Sequence, residues 1–228
     1  GLRVIQRADA FRFGTDAVLL ADFAAPRRHD RVCDLGTGTG IIPLLLYARE
    51  NTISADAVEI QPDMADMAAR SMAMNGLNEK IRVLPGDLRS IRTLLPHARY
   101  DLVTCNPPYG KAGGTLLNPD ASKRLARHEE SCAIEDVACA AAWLLQNGGR
   151  LCCVFPAARM IELSDAMRKY RMAPKRIRMV HSRVEKAAHL CLMEGMLDAR
   201  PGLIIEPPLV IYDENNAYTP ELRRIYGL

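Results

Sequence analysis

The chain has 228 residues, 49 % of them apolar and 25 % charged, with a formal net charge of +3. That size and balance suit one soluble α/β domain with a full core, and the mild positive charge permits an RNA partner without demanding one. The longest uncharged apolar stretches, Ile41–Ala48 and Val137–Leu145, fall far short of the roughly 18 residues a membrane span needs.

Strand-like and helix-like segments alternate along the chain, which predicts a mainly parallel sheet covered by helices. Gly14–Ala25 reads as a capping helix before the first strand, with Thr15 or Asp16 available as its N-cap. Arg31–Leu35 is a short apolar strand, Ile41–Arg49 a helix after a Gly-rich turn, and Ala55–Ile60 the second strand. Pro62 can occupy the first turn of a helix that continues to Met74 and closes at Asn75-Gly76. Lys80–Leu84 and Tyr100–Cys105 are the third and fourth strands. Residues 106–133 lack periodicity and contain Gly113-Gly114 and Asn118-Pro119, the pattern of a long mobile loop at an active site. An Ala-rich helix over Ile134–Gln146 ends at Gly148-Gly149, a fifth strand covers Arg150–Phe155, and Ala157–Tyr170 is helical. Arg176–His181 and His189–Leu197 are joined by too short a link for a helical crossover, so they must be antiparallel. The expected topology is five parallel strands followed by an antiparallel hairpin, in a single domain over residues 1–228. Residues 1–28 form its N-terminal capping segment.

The seven cysteines are odd in number and include no C-x-x-C. That argues against a disulfide framework and against a structural zinc site. A reduced, cytoplasmic protein without a metal is expected.

Asp34-Leu35-Gly36-Thr37-Gly38-Thr39-Gly40 follows a strand and opens a helix, the context in which a Gly-rich turn lets a ligand approach the backbone. Glu59 ends the second strand nineteen residues after Gly40, where a carboxylate can accept both hydroxyls of a ribose. The spacing is G-x-G-x-G, not the dinucleotide G-x-G-x-x-G, and no Lys-Ser/Thr pair makes it a P-loop. Asp34 would repel a pyrophosphate but suits a cation, and S-adenosylmethionine carries an ammonium and a sulfonium. A tight turn with no ligand is the competing reading. Asp87, just past the third strand, is either an acceptor for the cofactor's adenine amino group or the N-cap of a short helix.

Asn106-Pro107-Pro108-Tyr109 follows the fourth strand directly. The prolines stiffen the backbone and bias Asn106 toward an extended conformation. The tetrapeptide thus puts a carboxamide, a backbone carbonyl and an aromatic ring in one rigid corner. A planar exocyclic NH₂ is a poor nucleophile because its lone pair is delocalised into the ring. Asn106 Oδ1 and the Pro107 carbonyl can each take one amino hydrogen, and the Tyr109 ring can stack on the base. A proline-rich turn is the alternative for the tetrapeptide alone. The Gly-rich turn, Glu59, Asp87 and Asn106 all follow strands on one edge of one sheet, and that conjunction favours a methyl-transfer site.

With these motifs the chain resembles the class I S-adenosylmethionine-dependent methyltransferases, and in particular the bacterial tRNA (adenine-N(6))-methyltransferase family that modifies valine tRNA. Phe11-Arg12-Phe13-Gly14-Thr15-Asp16-Ala17-Val18-Leu19-Leu20 is similar to that family's N-terminal signature. Asp34–Gly40 and Asn106–Tyr109 are similar to its cofactor and catalytic motifs, and Arg127-His128-Glu129 and Tyr218-Thr219-Pro220 to further segments. The resemblance implies a Rossmann-like, seven-stranded, mostly parallel sheet with helices on both faces. It implies S-adenosyl-L-methionine held by Asp34, Gly36, Thr37, Gly38, Gly40, Glu59 and Asp87, with Phe13, Gly14 and Thr15 closing over its methionine end. Asn106, Pro107, Pro108 and Tyr109 would act on the adenine amino group of a tRNA next to the anticodon. Guanine amino groups of RNA and a protein glutamine amide are the alternative substrates that the Asn-Pro-Pro-Tyr motif admits. A non-catalytic cofactor-binding module would not need intact Asn106 and Tyr109.

On the substrate side, Lys123, Arg124 and Arg127 lie in the loop beyond the catalytic motif, and Arg168, Lys169, Arg171, Lys175, Arg176 and Arg178 form the densest basic stretch. Either group could contact RNA phosphates, and the second could equally be a solvated face.

Overall fold

Val32, Cys33, Asp34 and Leu35 have no exposed surface, as expected for a central strand covered on both faces. They belong to β1 (Arg31–Leu35) in a computed structural model that describes residues 1–6, 14–107 and 134–227. Around it lie β2 (Ser54–Glu59), β3 (Ile81–Pro85), β4 (Tyr100–Cys105), β5 (Leu145–Pro156), β6 (Met172–His181) and β7 (Ala188–Leu197). The order is β3-β2-β1-β4-β5-β7-β6. The first five strands pair in parallel, and β7 runs antiparallel between β5 and β6. Strand order reverses at β1, the switch point where a crevice opens at the carboxyl ends of such sheets.

Alternating side chains divide the core in two. Val32, Leu102, Cys152, Val154 and Leu192 face α1 (Thr15–Ala24), α2 (Ile41–Arg49), the buried side of α3 (Pro62–Met74) and Leu222 and Ile225 of the C-terminal helix. Cys33, Val103, Leu151, Cys153 and Met193 face α4 (Ile91–Leu94), α5 (Ile134–Leu144) and α6 (Met160–Lys169). The C-terminal helix, Pro220–Tyr226, is α7.

The expected elements are present, with local corrections. The seven expected strands are joined by two two-residue strands, β8 (Ile204–Ile205) and β9 (Leu209–Val210), which pair in parallel with β6 and make a nine-stranded sheet. Gly14 is the N-cap of α1, and neither Thr15 nor Asp16 supplies a capping side chain. Helix α5 stops at Leu144 rather than Gln146, because Leu145 already pairs with Tyr100. The extra residues before the next pair, Arg150 with Leu102, form a bulge in which Gly148 takes φ +77°. A 3-10 turn, Ala157–Arg159, precedes α6.

Helix α1 is bolted to the sheet at its C-terminal end. Arg150 Nη1 donates to the Ala24 carbonyl at 3.0 Å and Arg176 Nη2 to the Phe23 carbonyl at 2.8 Å. Glu194 Oε2 accepts from both guanidinium groups at 3.1 Å. The two cations satisfy carbonyls that the helix leaves open and complement its dipole. With its C-terminus there, α1 directs Gly14 and Thr15 toward the opposite edge of the sheet. Tyr226 of α7 donates its hydroxyl to Thr15 Oγ1 at that end.

Cys33, Cys152, Cys153 and Cys191 are buried free thiols, and Cys105 is buried beside them. Burial raises the pKa values of Cys33, Cys152, Cys153 and Cys191, so these four are core residues and not nucleophiles. Among the described residues, no helix is long and apolar enough to cross a membrane. No cluster of three His, Cys, Asp or Glu side chains there could hold a metal ion.

Candidate cofactor and amino-group site

The glycine turn is built from left-handed backbone. Gly36, Gly38 and Gly40 take φ of +70°, +57° and +82°, a region that strains any residue with a Cβ. The backbone N–H groups of Gly36 and Thr37 both donate to the Val58 carbonyl, at 2.9 and 3.0 Å, which ties the turn to β2. At Gly40 a Cβ would come within 2.5 Å of Met72 Cε and 3.3 Å of Ala68 Cβ. The left-handed backbone favours glycine there, and a Cβ would also press on α3. At Gly36 and Gly38 a Cβ would meet nothing within 4 Å among the described residues. The backbone there leaves room for a ligand to approach.

Glu59 and Asp34 are the two acids of the turn. Glu59, 4 % exposed, accepts from Gly38 N–H at 2.8 Å through Oε2 and from Gln61 N–H at 2.9 Å through Oε1. Each oxygen retains a lone pair for a ribose hydroxyl. Asp34 is fully buried, and its Oδ1 accepts from Thr104 Oγ1 at 2.6 Å. Its Oδ2 has no hydrogen-bond partner among the described residues, and the same is true of the Thr37 hydroxyl. Burial pushes the Asp34 carboxyl from the ordinary 3.8 up to about 7. The Thr104 bond and the nearby Thr37 hydroxyl pull it down, and the charge of Glu59 pushes it up. The Thr37 hydroxyl lies close enough to lower the pKa, but it does not meet hydrogen-bond geometry with Oδ2. A buried carboxylate with one oxygen unpartnered suits a positively charged ligand group. Both observations fit S-adenosylmethionine.

Asn106 and Pro107 are the described part of the tetrapeptide. Leu35 and Cys105 are register partners in neighbouring parallel strands, so Gly36 and Asn106 leave the sheet side by side, about 5 Å apart. Asn106 is half-buried and Pro107 buried. Gly86 N–H donates to the Glu59 carbonyl at 2.9 Å, which brings the Gly86-Asp87 turn to the same edge. The Asp87 side chain there caps the 3-10 turn Leu88–Ser90 by accepting from Arg89 N–H, and its carboxylate also receives the Arg89 guanidinium. Those contacts hold its pKa below the ordinary carboxylate value, chiefly through the Arg89 side chain. The capping alternative is thus realised in the free protein.

The structure thus brings Asp34, Gly36, Thr37, Gly38, Gly40, Glu59, Asp87, Asn106 and Pro107 to one edge. Phe13, Pro108, Tyr109, Lys123, Arg124 and Arg127, with all of the expected loop but Asn106 and Pro107, lie outside the described residues. Arg176 is corrected. Its guanidinium is committed to Glu194, to Glu206 at 2.8 Å and to the Phe23 carbonyl, and it lies 4.3 Å over the Phe23 ring. Its guanidinium is engaged in holding α1 and Glu194 in place. Lys169, Arg171 and Arg178 of the same basic stretch are likewise paired, with Glu135, Asp198 and Glu221. Sequence reading missed Thr104, although a hydroxyl within the apolar run Leu102–Cys105, two residues before Asn106, was a usable signal. A cleft of 390 Å³ lined by Arg31, Asp56, Lys80, Arg82, Arg99 and Tyr100 opens at the starts of the strands, the edge away from these residues.

Comparison with known proteins bears on the family and the fold. Residues 8–176 match the model of the methyltransferase small domain. The chain is 32 % identical to a Porphyromonas gingivalis protein named tRNA1(Val) (adenine(37)-N6)-methyltransferase, over 96 % of this chain and 89 % of that one. It is 34 % identical to a Tolumonas auensis protein of the same name, over 93 % and 86 %. Among solved structures, a protein of Agrobacterium tumefaciens described as a predicted O-methyltransferase superposes with a TM-score of 0.77 at 24 % identity, over 93 % of this chain and 95 % of that one. TrmN from Thermus thermophilus gives 0.59 at 24 % identity, over 79 % and 48 %.

Proposed function

The chain belongs to the methyltransferase small domain family, and from that premise we propose that it methylates the exocyclic N6 amino group of an adenine in tRNA, next to the anticodon. It is an S-adenosylmethionine-dependent enzyme of the class I fold. The relatives that share about a third of its residues over nearly the whole chain carry the name of that reaction. The structural observation that supports the reading is the pairing of Leu35 with Cys105, because it starts the glycine turn and the Asn106 corner from adjacent strand ends.

Asp34, Gly36, Thr37, Gly38, Gly40 and Glu59 would hold the cofactor, which when bound supplies a methyl group on a sulfonium. Asn106 Oδ1 and the Pro107 carbonyl would each accept a hydrogen bond from one amino hydrogen, so that the nitrogen pyramidalises and its lone pair, out of conjugation with the ring, points at the methyl carbon. Pro108 stiffens the corner, and the Tyr109 ring would hold the plane of the base. Catalysis here is positioning, with two reactants at near-attack distance, and the surplus amino proton leaves to water. Gly14 and Thr15, at the start of α1, and Phe13 before them would border the methionine end. An unpaired loop base costs less to splay out than one in a duplex, so a tRNA loop suits a site that must reach a base amino group.

The test is incubation with labelled S-adenosylmethionine and separate pools of tRNA, ribosomal RNA and release factor, followed by mass spectrometry of the product. N6-methyladenosine in tRNA is expected. Label confined to guanosine or to a protein glutamine would replace the adenine reading.

A further inference from the structure

Thr104 and Asp34 lie opposite each other in the register of β4 and β1, and neither has any exposed surface. The Thr104 hydroxyl donates to Asp34 Oδ1 at 2.6 Å, within the range of a bond to an ionised acceptor. An ionised carboxylate has about four acceptor sites, yet the Oδ2 oxygen has no partner among the described residues. Thr104 therefore fixes one oxygen and leaves the other to be satisfied by something that binds. Thr104 also lies two residues before Asn106, and in an extended chain such residues share a side.

We propose that Thr104 is a positioning residue for cofactor binding: its hydroxyl fixes the Asp34 carboxylate so that Oδ2 receives the positive charge of S-adenosylmethionine. This rests on the assignment of Asp34 to the cofactor. The same bond joins the strand that carries the glycine turn to the strand that carries Asn106, so both halves of the site share one hydrogen-bonded pair. The groups around the Asp34 carboxylate are few. Glu59 at the end of β2 adds like charge, the Thr37 hydroxyl lies on the turn, and the buried Cys33 and Cys153 thiols feel the aspartate's charge. Thr104 is the largest of the influences that keep the carboxylate ionised against burial. Without it, the protonated form persists to higher pH and the charge that would meet the cofactor is lost.

The experiment measures S-adenosylmethionine affinity by calorimetry from pH 6 to 8.5 for wild type, Thr104→Val, Thr104→Ala, Thr104→Ser and Asp34→Asn, with circular dichroism melts to show which variants fold. Removing a hydrogen bond to a charged group should weaken binding roughly ten- to a hundredfold in Thr104→Val. The deficit should be largest near pH 6.5 and should shrink toward pH 8.5, as the carboxyl ionises unaided. Thr104→Ser restores both affinity and profile. Thr104→Ala provides the same reading if the valine variant does not fold. Wild-type affinity in Thr104→Val and Thr104→Ala beside a loss in Asp34→Asn would overturn the proposal and leave the Asp34 assignment standing. A pH-independent loss that serine does not restore would make Thr104 a packing residue only. Undiminished binding by Asp34→Asn would remove the assignment itself, and the proposal with it.

Discussion

The Gly38 N–H donates to Glu59 Oε2 at 2.8 Å while the other carboxylate oxygen of Glu59 receives Gln61 N–H. One side chain therefore shapes the glycine turn from the end of the neighbouring strand. Glu59→Gln presents only one acceptor oxygen to two backbone donors, and its amide NH₂ must face the other. A buried unsatisfied donor costs about 1–3 kcal/mol. The melting temperature should fall by several degrees and S-adenosylmethionine affinity at least tenfold, both read on the same purified variant by melts and calorimetry.

Gly36 and Gly40 should fail in different ways. Both are left-handed, so alanine strains either by about 1–3 kcal/mol. At Gly40 the new Cβ also runs into Met72 and Ala68, and Gly40→Ala should be the less stable protein in a urea titration. At Gly36 the Cβ enters open space, so Gly36→Ala keeps most of its stability but obstructs the cofactor. Equal stability losses, with cofactor binding intact in both, would contradict this division.

Asp34 should limit stability in the free protein. Its folded pKa, about 7, lies above the ordinary 3.8, so the folded state holds the proton more tightly than the unfolded one. Stability contributed by this group is full below about pH 4 and falls as pH rises toward 7. Asp34→Asn removes that loss. The free variant should melt higher than wild type at pH 8 and near wild type at pH 4, while binding the cofactor more weakly. Residues kept for function at a cost in stability behave this way.

Asn106→Ala should separate binding from turnover. The side chain is assigned to the amino group and not to the cofactor, so S-adenosylmethionine affinity should stay within about threefold. Methyl transfer to tRNA should fall by roughly a hundredfold or more, the scale for losing one preorganised polar group. Loss of cofactor affinity in calorimetry would reassign the residue.

Arg176→Met should act on the fold alone. It leaves Glu194 with Arg150 as its remaining cationic partner and opens the Phe23 carbonyl, a loss of about 2–3 kcal/mol or roughly 4–10 °C in melting temperature. The KM for tRNA should not change. Glu194 carries a matching pH signature. Burial raises its pKa, but the bond and charge of Arg176, together with Arg150, outweigh burial and leave it below 4.5. Its contribution is full above about pH 4.5 and is lost as pH falls through the lowered value. Glu194→Gln should therefore destabilise the protein at pH 7 and much less at pH 3.5.

The legible parts were those written in local chemistry. The bounds of β1, α2 and β4 follow from apolar runs between Gly, Pro and Asn punctuation, and Asp34, Glu59 and Asn106 each announce themselves as polar residues at strand ends. Thr104 was not read because its role depends on the register of two strands seventy residues apart. Arg176 was misread for a similar reason. It lies in a basic run, and only the folded sheet shows that Glu194, Glu206 and the end of α1 surround it. Strands β8 and β9 are two residues each, too short for any periodicity to mark them. The start of β5 was hidden because α5 passes into it without a turn.

The two cores close at very different points along the chain. The one lined by α4, α5 and α6 has its last buried member at Leu197, whereas the one against α1 and α2 also needs Leu222 and Ile225. A chain emerging from the ribosome can therefore bury one face of the sheet while the other, on which Asp34 and Thr104 lie, still awaits its final helix. That face of the sheet would be completed only once α7 has been made, after most of the architecture is in place.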